Sequence, residues 1–175
     1  KNNAKYSCFW VPDPWDHTEI IGTNYISRLC RMTKQAVNDN SKEHLSFSSV
    51  VVIIETILFK SKINNIFTYI KLIVLSLFKK QHWSKAIFFD LLLSDVFFYL
   101  WEKHRPDFSV LFVNSGAHIQ HHYMYNSTVV NEVQYNPEWY IRKDKDPLLE
   151  IFNTVPDKVA RGIAKKQLIN ADKNA

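Results

Sequence analysis

The sequence predicts a helix-rich α/β chain, with a helical cap or insertion over residues 1–82 and, over 83–175, a helix–strand–helix unit belonging to a larger α/β sandwich. Three observations predict it. A helical run from Ser84 to Lys103, apolar over much of its circumference, is stopped by Pro106. A short β-branched and aromatic run, Asp107-Phe108-Ser109-Val110-Leu111-Phe112-Val113, follows with the composition and length of a strand. A histidine cluster comes directly after it. Helix, proline turn and apolar strand in that order make one layer of an α/β sheet.

A chain of 175 residues, 46% hydrophobic and 14% aromatic, is long enough for a substantial core, so disorder is not expected. Its three glycines, Gly22, Gly116 and Gly162, leave nothing from which to build a glycine-rich phosphate cradle or dinucleotide fingerprint. The formal charge is +5, but the lysines are scattered among acids, and no basic stripe of the nucleic-acid-binding type stands out. Cys8 and Cys30 form neither a disulfide framework nor a CxxC pair, which fits a reducing, cytoplasmic compartment. The start at Lys1 shows no charged, apolar and small-residue leader, and Phe9-Trp10-Val11-Pro12 already reads as mid-protein sequence. With the polar turn at Asn170 to Ala175, both ends read as cuts in a longer chain.

In order along the chain, Cys8 to His17 (CFWVPDPWDH) combines two prolines with aromatics and acids and predicts an irregular lining loop. Ile26, Leu29, Cys30, Met32 and Val37 recur at helical spacing and predict a helix over Asn24 to Val37. Ser46 to Lys80 holds two apolar blocks, Val50 to Phe59 and Ile66 to Phe78, each short of the ~20 residues of a bilayer span. They are read as paired helices buried against the rest of a large protein. A membrane-surface hairpin is the alternative, with Lys60, Lys62, Lys71, Lys79 and Lys80 at the headgroups. Ser84 caps the next helix, whose Ile87, Phe88, Leu91, Leu92, Phe97, Phe98 and Leu100 require burial. After the strand, Asn114 to Tyr125 turns into a helix or irregular turn, and a polar loop runs to Asn136 and Pro137. Asp146 caps a last helix with Pro147 in its first position, and Pro156 kinks or splits it.

Asn114-Ser115-Gly116-Ala117-His118-Ile119-Gln120-His121-His122-Tyr123 stands at the carboxyl end of the predicted strand, where ligands gather in open α/β sheets. If the residues after Gly116 are helical, His118, His121 and His122 are spaced i, i+3 and i+4 and project from one side. Converging neutral imidazoles suit zinc, manganese or iron, with Asn114 adding an oxygen ligand or a hydrogen bond. The competing reading is three exposed or hydrogen-bonded polar residues with no metal. Asp13, Asp16 and His17 are candidate substrate contacts, though a satisfied loop accounts for them as well. Trp139 and Tyr140 read as packing residues, and Asn126-Ser127-Thr128 as a chance match to a glycan acceptor.

The order of apolar strand, Asn114-Ser115-Gly116-Ala117-His118, long loop and helix resembles the phosphodiesterase and nucleotide pyrophosphatase branch of the alkaline phosphatase superfamily. In that family the strand ends in Asp-x-x-Gly-His, whose aspartate and histidine bind one metal of a two-metal site. Asn114 and His118 fall at the matching positions, while Asn114 replaces the acid and the glycine lies one place early at Gly116. A neutral amide binds a divalent ion more weakly than a carboxylate, so either the site differs from the family's or Asn114 has another role.

The resemblance covers Ser84 to the end. It implies a divalent-metal hydrolase of phosphate or sulfate esters, with zinc the expected metal, acting on a small phosphorylated substrate. His121, His122 and Tyr123 would support the ligands or touch that substrate. The nucleophile and the next metal-bearing strand are expected outside this piece, which alone would not turn over substrate. The alternative function is a non-catalytic helical module that docks on a partner protein or membrane surface through the helices between Ser46 and Lys103.

Overall fold

The computed structural model describes residues 7–12, 19–38, 45–79, 81–128, 135–156 and 159–160. Among the described residues the named α-helices are, in order, α1 (Asn24–Asn38), α2 (Phe47–Phe59), α3 (Ile63–Phe78), α4 (Trp83–His104) and α5 (Ser115–Tyr123). A 3-10 turn, Met124–Asn126, follows α5, and residues 147–156 are helical again. The chain divides into two compact units, one of Lys1–Lys62 with Tyr99–Ser109, the other of Ile63–Phe98 with Val110–Ala175.

The α/β expectation is overturned. Among the described residues the protein is all-α, 67% helical, and no strand or sheet forms. Among the described residues the extended pairing is an isolated antiparallel bridge between Trp10 and Ile21. The predicted strand over residues 107–113 is irregular, with Phe108 82%, Val110 71% and Phe112 71% exposed. Its composition is that of a strand, but a strand exists only when its backbone N–H and C=O groups meet a neighbouring strand, and none stands among the described residues.

In the first unit α1 and α2 run antiparallel. The start of α1 meets the end of α2 through Tyr25 and Thr56, whose hydroxyl oxygens lie 2.7 Å apart, and through Arg28 and Glu55, paired at 3.0 Å. At the other end Gln35 Oε1 accepts from the Ser49 hydroxyl at 2.6 Å and from the Ser46 amide at 3.1 Å. Ser46 is also the N-cap of α2, its hydroxyl accepting from the Ser49 amide. The buried side of α1 is Ile26, Leu29, Cys30 and Met32, the face its periodicity predicts. Lys60, one residue past α2, donates to the Tyr99 hydroxyl at 3.2 Å and lies over the Tyr99 ring.

In the second unit α3 runs antiparallel to α4. Asn65 donates to both oxygens of Asp95 at 2.9 Å, and one turn on Tyr69 donates to Asp95 Oδ2 at 2.7 Å and packs edge-on against Phe88. α5 is also antiparallel to α4, held at its start by Asp90 and at its end by Trp83, whose ring meets Tyr123 edge-on at 5.4 Å. The buried positions Ile87, Leu91, Leu92 and Val96 on α4, with Ile119 on α5 and Ile151 and Val155 beyond, supply the apolar core. α4 begins at Trp83, so Ser84 sits inside the first turn rather than capping it.

Asp146 and Pro147 start the last helix as predicted, Asp146 Oδ1 accepting from the Leu149 amide at 3.0 Å. Trp83 Nε1 donates to Glu150 of this helix at 2.7 Å. Glu150→Ala leaves that buried N–H without its acceptor and is expected to cost about 1–3 kcal/mol, read as a lower urea midpoint with an unchanged slope.

Candidate functional site

α5 has nine residues, too few for stability in isolation. Its first turn is capped from outside. Asn114 occupies the N-cap position but its side chain makes no capping hydrogen bond. The buried Asp90 carboxylate, from the middle of α4, accepts instead from the Ser115 amide at 2.7 Å and, more weakly, from the Asn114 amide at 3.4 Å. Burial pushes the Asp90 carboxyl above its ordinary range, opposed by the hydrogen bonds from Ser115 and Asn114.

With its start fixed, α5 presents the histidines. At about 100° per residue, His122 stands about 40° round the helix from His118 and His121 about 60° the other way, so the i, i+4 pair lies closest. The His118 and His122 rings are 4.9 Å apart, centroid to centroid, and tilted by 52°. Both residues are exposed, as is His121. The His118 imidazole is held below its ordinary 6.5, first by partial burial of its ring and then by the nearby charges of His122, His121 and Lys85. A lowered value keeps the ring neutral at pH 7, the state in which imidazole binds a metal.

His122 Nδ1 lies 3.2 Å from the Tyr140 hydroxyl. In the tautomer that donates this hydrogen bond, Nε2 carries the free lone pair, which is how metal-binding imidazoles are commonly oriented. Tyr140 is stacked at 5.5 Å on Tyr123, and Tyr123 is buried against Trp83. Burial first, and Tyr140 second, hold the Tyr123 hydroxyl in its protonated form to high pH. Tyr123 therefore bears on the histidines through Tyr140. Asn136 adds a hydrogen bond to the His122 carbonyl at 3.2 Å.

Of the residues singled out in the sequence, the structure brings together His118 and His122. Asn114 lies one turn before His118, whose amide donates to the Asn114 carbonyl at 3.0 Å. Asp13 and His17 lie outside the described residues. Among the described residues no group of three or more His, Cys, Asp or Glu side chains is placed to hold one ion. Two imidazoles supply half of a tetrahedral shell, and zinc at its usual ~2.0–2.1 Å would set their nitrogens about 3.3 Å apart, within reach of two rings this close. An open groove of about 370 Å³ beside the start of α5, lined by Val113, Gly116, Ile151, Phe152 and Val155, holds none of the histidines and is apolar.

The residues that sequence reasoning missed are Asp90 and Tyr140 in its role as a histidine partner. Asp90 had a signal, since an acid inside Phe88-Phe89-Asp90-Leu91-Leu92 must find donors once that helix is buried. Fold and site together describe an all-α chain with a surface pair of imidazoles set on a short, externally capped helix. The chain matches no family model, no curated protein and no solved structure.

Proposed function

We propose that this chain is part of a metal-dependent hydrolase of phosphate or sulfate esters, with His118 and His122 as ligands to a divalent cation, zinc by the chemistry of the donors. The observation that carries the reading is the pair of exposed imidazoles, His118 and His122, 4.9 Å apart. The likeness of Asn114 to His118 to a metal-bearing motif supports it. When bound, the cation supplies Lewis acidity for an ester oxygen or a water. The chain's own contribution is orientation: Asp90 sets the start of α5, Tyr140 sets the His122 ring, and the lowered pKa keeps His118 neutral.

Calorimetric titration with zinc tests this without requiring turnover. The wild-type chain is expected to bind, and His118→Ala and His122→Ala each to lose at least about tenfold in affinity, the scale of losing one ligand or its support. Since protons compete for the same nitrogens, binding should weaken as pH falls below the ordinary imidazole value of 6.5. Equal zinc affinity in all three proteins would remove the reading.

A further inference from the structure

The outer side of α3 bears directly on what this protein sits against. Its inner side is fixed by Asn65 and Tyr69 on Asp95, with Tyr69 and Leu72 buried. Opposite stand Ile63, Phe67, Ile70, Val74, Leu77 and Phe78, spaced i, i+4, i+7, i+11, i+14 and i+15, which makes one continuous row along 16 residues, about 24 Å of helix. Phe67 is 81% exposed, Ile63 77%, Phe78 76% and Leu77 70%. Scattered surface apolar residues need no explanation, whereas a contiguous row marks a docking face.

Charge decides among the occupants. α3 contains no carboxylate, and Lys71 and Lys79 are exposed with no ion pair among the described residues. Lys71 falls about 20° beyond Phe78 on the helix circumference, at the margin of the apolar row. At the rim of a protein interface that ammonium would gain little unless the partner set an acid opposite it. At a bilayer surface its stem lies along the apolar layer while the charge reaches the headgroups. Among the described residues no helix is long and apolar enough to cross a membrane, so at a bilayer the row would lie along the surface rather than span it. In the other unit α2 repeats the pattern, with Phe47, Val50, Val51, Ile54 and Leu58 exposed and its one acid, Glu55, paired to Arg28.

We infer that the outer row of α3 seats this protein on an anionic bilayer surface. The inference stands independently of the metal reading. Sedimentation with phosphatidylcholine vesicles, with and without phosphatidylserine, tests it on the full chain. The wild type is expected to bind the anionic vesicles preferentially and to release with salt. Phe67→Asp, on the exposed side and so without effect on the circular dichroism, should weaken binding about tenfold or more, because one buried aromatic ring is removed. Lys71→Glu with Lys79→Glu should abolish the preference for phosphatidylserine, and His118→Ala should leave vesicle binding unchanged. Absence of binding to anionic vesicles overturns the inference. So does binding that Phe67→Asp leaves intact, or a dimer in solution that Phe67→Asp dissolves, which would assign the row to a second copy of the chain.

Discussion

Tyr69→Ala is expected to destabilise the second unit by about 3–5 kcal/mol, the range for truncating a buried aromatic ring, read from the denaturant midpoint. Tyr69 is 1% exposed, so truncating it leaves a cavity where the ring packs against Phe88 of α4. Its hydroxyl also donates to Asp95 at 2.7 Å, and Asp95 is itself buried. Without Tyr69 that buried carboxylate loses one of its donors and keeps Asn65, and the lost hydrogen bond adds to the cost. Tyr69→Phe separates the two contributions. It keeps the ring and should cost about 1–2 kcal/mol for the hydrogen bond to a charged acceptor. If Tyr69→Phe were as damaging as Tyr69→Ala, packing would count for little and the polar link alone would hold α3.

The second large effect is at Asp90. Asp90→Ala leaves the Ser115 and Asn114 amides without their acceptor at the start of a short helix, an expected cost of about 1–3 kcal/mol. Because α5 carries both imidazoles, zinc affinity should fall as well, although Asp90 touches neither ring. The pH dependence has a definite sign. The folded pKa of Asp90 lies above its ordinary 3.8, so the folded state binds this proton more tightly than the unfolded chain does. Its contribution is complete below 3.8 and declines as pH rises through the folded value. Asp90→Asn does not titrate, so the stability difference between wild type and this variant should shrink with rising pH across that window. A difference that stays flat, or grows with pH, would mean that Asp90 is not a buried cap.

The helices were legible in the sequence for a local reason. Ile26, Leu29, Cys30 and Met32 repeat with the helical period, and the structure buries that face. Asp146 and Pro147 announce the start of the last helix through chemistry confined to one turn. The strand over residues 107–113 misled because its apolar, β-branched composition records only what the segment prefers against a sheet. Whether a sheet is there is a non-local fact. The same distinction runs through the candidate site. The closeness of His118 and His122 follows from four residues of helix, but the cap on that helix comes from Asp90, 24 and 25 positions away from the amides it accepts.

The sequence by itself determined where this protein coils into helices and that His118, His121 and His122 fall within about one turn, because both depend on neighbours that close. Tertiary structure alone decided that no sheet forms among the described residues, that Asp90 rather than Asn114 caps α5, and that the row from Ile63 to Phe78 faces outward. Those outcomes rest on which distant groups are available to accept a hydrogen bond or cover an apolar face, and periodicity carries no record of them.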